Sequence, residues 1–111
     1  MTDGEQRKKR NVIVEKKIGS ITKEDIRVAV VGTVLSVDKE ALIFSVEDPS
    51  GELTCLAPNE EMIGKLKVGS PARVIGIVIP DEEGVELRAE IVQDFSGIDK
   101  ELFQILHKVL E

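Results

Sequence analysis

Apolar and polar positions alternate through the middle of this chain, and that period-two pattern predicts strands rather than helices. The stretch from Phe44 to Pro58 organises the rest. Leu42, Phe44 and Val46 fall on one face, and Leu53 and Cys55 resume the same rhythm beyond Asp48-Pro49-Ser50-Gly51. The tetrapeptide between them is a turn by its chemistry. Proline presets one dihedral, Gly51 accepts a left-handed one, and Asp48 and Ser50 bond to their own backbone. Upstream, residues 26–38 (IRVAVVGTVLSVD) form the longest β-branched run. Ile26, Val28, Val30, Gly32, Val34 and Ser36 share one face of it, and Arg27, Ala29, Val31, Thr33, Leu35 and Val37 the other. Apolar on both sides, it reads as a strand buried on both faces or bent to serve two sheets, with Gly32 permitting the bend. Asp38-Lys39-Glu40 then leads into a second strand over 41–47, and the third covers 52–57.

The alternation breaks at 58–66, where a short helix is expected with Asn59 as N-cap, Glu60 and Glu61 in its first turn, and Met62, Ile63 and Leu66 facing the core. Lys67-Val68-Gly69-Ser70 turns into a fourth strand over 72–79, apolar on both faces around Gly76. Pro80-Asp81-Glu82-Glu83-Gly84 is a hairpin loop. The fifth strand, 85–92, directs Leu87, Ala89 and Ile91 one way and Arg88, Glu90 and Val92 the other. Ser96 caps a final helix whose stripe is Ile98, Leu102, Ile105, Leu106 and Val109, widened by Phe103 and Leu110. Near the start, 12–18 reads equally as a short edge strand or a turn of helix, and 20–25 as a turn into the sheet. The order is β-β-β-α-β-β-α, without internal repeats.

Composition narrows this further. A chain of 111 residues is one domain, and with three Phe and no Trp or Tyr its core must be built from Val, Ile and Leu. A single cysteine excludes an internal disulfide and a cysteine-rich zinc site. Cys55 alternates in phase with Leu53, so it reads as a buried apolar thiol. No apolar run approaches the roughly 20 residues of a membrane span, and residues 1–10 are too polar for a signal peptide. A cytoplasmic, nucleoid-associated location is the expectation.

Net charge is −6, but it is unevenly spread. Residues 1–17 hold six basic side chains against Asp3, Glu5 and Glu15, whereas the remainder carries 9 basic and 18 acidic residues. A basic arm on an acidic body follows. Arg7-Lys8-Lys9-Arg10 reads either as a solvated tail or as an arm that neutralises phosphates and releases counterions.

Catalytic chemistry finds no foothold. His107 is the only histidine, beside the apolar stripe of the last helix, and no phosphate-binding loop, nucleophile motif or metal-ligand cluster accompanies it. Glu60-Glu61 and Asp81-Glu82-Glu83 read as solvated loop carboxylates without an apolar pocket to tune them. The expectation is a protein that is not an enzyme and needs neither cofactor nor metal.

Five strands with a small helix between the third and fourth is the order of the OB-fold, an all-β, five-stranded Greek-key barrel, here with a C-terminal helix as accessory. From about Ile26 to Glu111 the chain resembles the replication protein A-like OB-fold family, of the archaeal single-domain or middle-subunit type. The residues carrying the resemblance are Val31-Gly32-Thr33-Val34, Phe44 to Gly51, Val68 to Gly76, and the helix after Asp94-Phe95-Ser96-Gly97. Similar strings occur in anticodon-binding domains and in the small subunit of archaeal family-D polymerases. The division that follows is a basic arm and lead-in over 1–25, a barrel over 26–95 and a helix over 96–111.

What the resemblance implies is binding of single-stranded DNA, or RNA, across the second and third strands, in replication, recombination or repair. Such binding combines a basic groove with stacking of bases on aromatic rings, worth about 1–3 kcal/mol per base. Carried onto this chain, the third-strand stacking places are Leu56 or Pro58, and the fifth-strand place is Arg88, whose guanidinium plane can stack. Ile43, Ser45 and Glu47 point outward on the second strand. Candidate nucleic-acid contacts are therefore Lys39, Ile43, Ser45, Thr54, Leu56, Arg73, Arg88, Lys65 and Lys67, with the arm. Asp81, Glu82 and Glu83 repel phosphate. The alternative is an OB subunit that assembles with OB-fold partners or with itself through Ile98, Leu102, Phe103, Ile105, Leu106, Val109 and Leu110, with little affinity for DNA.

Overall fold

The computed structural model describes residues 12–95. The arm at Arg7, Lys8, Lys9 and Arg10 lies outside the described residues, as do His107 and the C-terminal helix expected over 96–111 with its stripe from Ile98 to Leu110. In chain order the elements are β1 (Val14–Glu15), a 3-10 turn (Ile18–Ser20), β2 (Arg27–Asp38), β3 (Ile43–Asp48), β4 (Gly51–Leu56), α1 (Glu60–Gly64), β5 (Pro71–Pro80) and β6 (Val85–Asp94). The five predicted strands are β2 to β6. The lead-in over 12–18, which the pattern left open, is an edge strand followed by a 3-10 turn.

Sheet order is β1-β2-β3-β4-β6-β5, and a further β2–β5 pairing closes it into a barrel. Closure depends on β2 serving two neighbours. Arg27 to Thr33 pair with β5, and Thr33 to Asp38 pair with β3. The change of partner falls at Thr33, one residue past Gly32. A Cβ added at Gly32 would sit 2.5 Å from the Glu47 carbonyl oxygen, so only glycine permits this approach of β2 to β3. β1 runs parallel to β2 beside Val28 and Ala29, along the part of β2 that β3 does not reach. The last seam joins β4 to β6 in parallel, Cys55 opposite Leu87 and Leu56 opposite Arg88.

Two strands depart from simple alternation. β2 slips register between Val34 and Ser36, so Leu35 is an extra residue against β3. Val28, Val30 and Val34 face the core as expected, but past the bulge Val37 packs inward and Ser36 is exposed, the reverse of the sequence reading. β6 slips likewise opposite Ile75 and Gly76. Leu87 and Ala89 face inward as expected; beyond the slip Val92 packs on the core and Ile91 is 49% exposed, again reversed. Each bulge sharpens the local twist, which a small barrel needs in order to close.

The interior is aliphatic around one ring. Phe44 is fully buried among Val28, Val30, Val34, Val46, Leu53, Cys55, Val74 and Leu87. Burying such a phenyl group is worth about 1.5–3 kcal/mol. α1 supplies Ile63 and, just beyond it, Leu66 to the core. Its N-cap is Asn59, whose side chain accepts from the Met62 amide at 2.9 Å, and Glu60 and Glu61 occupy the first turn as the pattern predicted.

Ile18, at the start of the 3-10 turn, joins the core from beside the β3–β4 turn. That junction is tied by the turn itself. Asp48 accepts from the amides of Ser50 and Gly51 and, across 30 positions of sequence, from Ile18 at 2.9 Å. The Ser50 hydroxyl donates to Asp48 and accepts from the Gly19 amide at 2.8 Å. A second latch holds the lead-in to the barrel: Asp25 accepts from Lys16 Nζ at 2.7 Å and from the Thr22 amide at 2.8 Å. Partial burial would raise the Asp25 pKa, but the Lys16 ammonium and the Thr22 hydrogen bonds outweigh it and hold the carboxyl below its ordinary value.

Candidate nucleic-acid interface

Alternation on β3 and β4 sends Phe44, Val46, Leu53 and Cys55 inward and turns their neighbours to the outer side, although Ser45, expected to point outward into solvent, is covered there and only 8% exposed. The registers arrange those outer residues in three rows. The first is Ile43 opposite Leu56, with Leu56 opposite Arg88 on β6. The second is Ser36, Ser45 and Thr54, drawn together because the β2 bulge turns Ser36 outward to share a 2.6 Å hydrogen bond with the Ser45 hydroxyl. The third is Thr33, Glu47 and Glu52. Successive rows are two residues apart along each strand, roughly 7 Å.

The first row is apolar at its centre, with exposed Asp38 opposite Ile43 at one end and a cation at the other. Ile43 is 36% exposed, Leu56 half-buried and Arg88 exposed. Exposed Lys39 stands beside it, in the connection between Asp38 and Ile43. Asp38 shapes that connection by accepting from the amides of Glu40 and Ala41, and Leu42 takes a left-handed backbone (φ 57°) that seats its side chain on the core. Glu47 and Glu52, at the opposite end, are both exposed. Because β6 runs parallel to β4, the loop before it brings Asp81, Glu82 and Glu83 toward this same acidic end. The face is thus graded in net charge, from a row where Arg88 and nearby Lys39 outnumber Asp38, through hydroxyl, to acidic.

The structure gathers Ile43, Thr54, Leu56 and Arg88 on one surface with Lys39 at its margin; Ser45 shares Thr54's row but is buried, its hydroxyl bonded to Ser36. The remaining sequence candidates lie elsewhere. Arg73 is on β5, opposite Val31 and Gln93, where it pairs with Glu15 and donates to Gln93 at 2.9 Å. Lys65 and Lys67 follow α1, and Lys65 stands 3.8 Å from Glu61 on an exposed surface. Pro58 precedes α1 and is exposed.

Ser36 is the face residue that sequence reasoning missed. Its signal was a hydroxyl falling in an apolar rhythm, a conflict that a phase slip resolves. No aromatic ring from the described residues reaches the face: Phe44 is buried in the core, and Phe95 follows β6. Cys55 lies beneath it, where burial, and secondarily the charge of Glu86, push the thiol pKa up and keep it protonated. Among the described residues, no group of three or more His, Cys, Asp or Glu is placed to hold a metal ion, and no helix is long and apolar enough to cross a membrane.

A five-stranded barrel closed by a parallel seam, with a helix between its third and fourth strands and a graded outer face on its second and third, is an OB-fold domain. The family of OB-fold nucleic acid binding domains that includes the tRNA anticodon-binding type matches residues 28–94, and the chain belongs to it. Among solved structures it is similar to a chain of a replication protein A heterotrimer bound to single-stranded DNA. The TM-score there is 0.72 at 14% identity, over 90% of this chain and 92% of that one. A chain of the Stn1–Ten1 complex of S. pombe aligns with a TM-score of 0.64 at 17% identity, over 76% of this chain and 67% of that one. The second OB-fold domain of replication protein A from Methanococcus maripaludis aligns with a TM-score of 0.60 at 18% identity, over 78% and 97%. At such identities the likeness is one of fold. No curated protein matches the sequence.

Proposed function

We propose that this chain is a non-catalytic binder of single-stranded nucleic acid, DNA in the first instance, acting in replication, recombination or repair. The observation that carries the reading is the Ile43–Leu56–Arg88 row beside Lys39 on the outer face of β3 and β4. Two aliphatic side chains offer a flat apolar seat for a base, Arg88 stacks or contacts phosphate, and Lys39 contacts phosphate. With no aromatic ring on the face among the described residues, affinity per base falls at the low end of the usual range, and the basic arm over residues 7–10 adds phosphate contacts to the few that the acidic barrel offers.

Titration of labelled oligo-dT across a salt series tests this. Binding at low salt should weaken steeply as salt rises, because counterion release drives it. Arg88→Ala should weaken binding about tenfold, the loss of one stacking or phosphate contact. Deleting residues 1–11 should flatten the salt slope. Absence of binding at low ionic strength refutes the proposal.

A second reading is favoured by the acidic end of the face and by the likeness to chains of a heterotrimer and of the Stn1–Ten1 complex. In it the domain is an assembly subunit, and the apolar stripe from Ile98 to Leu110, read from sequence alone, meets a partner helix or a second copy. Sedimentation would then show a dimer or a stable hetero-complex that Leu102→Glu dissolves. A monomer without a partner counts against it.

A further inference from the structure

The third row of the face is an arrangement that stability does not favour. Glu47 and Glu52 are direct cross-strand partners, both exposed, and like charges opposite each other on neighbouring strands destabilise a sheet. The loop carrying Asp81, Glu82 and Glu83 adds exposed carboxylates at the same end, because the parallel β4–β6 seam aligns the two strand starts. Two rows away stand Leu56, Arg88 and Ile43, with Lys39 beyond; the carboxylate of that row, Asp38, accepts from the amides of Glu40 and Ala41. The hydroxyls of Ser36, Ser45 and Thr54 separate the two ends.

We infer that the Glu47–Glu52 pair is an electrostatic stop that ends the nucleic-acid footprint at the hydroxyl row. The domain then holds a short segment at the Lys39–Arg88 end and excludes the strand from the hairpin end. This rests on the nucleic-acid reading above and adds a site size and a boundary to it. A phosphate about 7 Å from one such carboxylate in water is disfavoured about threefold at low salt, and two carboxylates compound the effect. The apolar and hydroxyl rows seat a few nucleotides, which places the footprint near the low end of the roughly 4–16 nucleotides of single OB folds.

The test is a length series. Fluorescence anisotropy at low salt would compare dT4, dT6, dT8 and dT12 on the full chain, its Glu47→Gln/Glu52→Gln variant, and a charge-matched Glu60→Gln/Glu61→Gln control on α1. After correction for the number of registers, wild-type affinity should rise beyond about four nucleotides less steeply than that of the face variant, since any gain from the basic arm is common to both. The face variant should keep gaining with length and bind dT12 about five- to tenfold tighter than wild type does, with dT4 changed less than about twofold. Its melting temperature should not fall, since a repulsion has been removed. Equal gains on dT4 and dT12, gains matched by the α1 control, or a wild-type affinity that climbs with length as steeply as the face variant's would each overturn the stop while leaving binding intact. Failure of the wild type to bind even dT12 would instead overturn the nucleic-acid reading itself.

Discussion

Asp48→Ala removes a carboxylate that serves a local turn and a long-range joint at once. One oxygen accepts from the Ser50 amide at 2.7 Å and the Gly51 amide at 3.1 Å, and the other from the Ile18 amide at 2.9 Å. Hydrogen bonds to a charged acceptor contribute about 1.5–3 kcal/mol each when shielded, and less where water replaces the partner. The Ser50 amide is exposed and recovers most of its loss from solvent; those of Ile18 and Gly51 are partly buried and do not. The expected cost is therefore about 2–3 kcal/mol. For a domain near this size each kcal/mol lowers the midpoint by about 4–8 °C, so Tm should drop by about 10–20 °C. Thermal unfolding followed by far-UV circular dichroism measures it. Asp48→Asn keeps one accepting oxygen and should lose about half as much. Ser50→Ala, which frees the Gly19 amide and removes an exposed hydroxyl donor to Asp48, should lose about 1 kcal/mol. If Asp48→Ala melts within about 3 °C of wild type, the joint between the 3-10 turn and the hairpin contributes nothing to stability.

Other expectations concern closure and acid stability. Gly76→Ala would set a methyl group 2.3 Å from the Arg88 carbonyl oxygen and 3.0 Å from the Ala89 Cα, both backbone atoms. It should cost about 1–3 kcal/mol in a denaturant titration, whereas Gly64→Ala, with nothing within 4 Å of the added atom, should be neutral or stabilising. Asp25 has a folded pKa below its unfolded value of about 3.9, so its ionised form stabilises the fold above that pH, and the contribution is lost as pH falls through the folded value. The Tm gap between wild type and Asp25→Asn should therefore be widest near neutral pH and shrink below about pH 4, and a gap independent of pH refutes the latch.

Sequence alone determined the five barrel strands, the short helix between the third and fourth, and most of their inward faces. Apolar residues at every second position can only be buried together on a strand, so Phe44, Val46, Leu53 and Cys55 were assignable without coordinates. Asn59 before Glu60-Glu61 marked a helix start because its side chain satisfies an amide the helix leaves open. Proximity and phase were decided by the tertiary structure. The bulges at Leu35 and Glu90 reverse the faces of Ser36, Val37, Ile91 and Val92, because closing five strands requires local twist that period-two alternation does not encode. Register then set what shares the outer face. It brought Arg88 beside Leu56 and Glu47 opposite Glu52, and it carried Arg73 away to Glu15, since lateral pairing depends on how the whole sheet curls and not on any residue's neighbours in the chain.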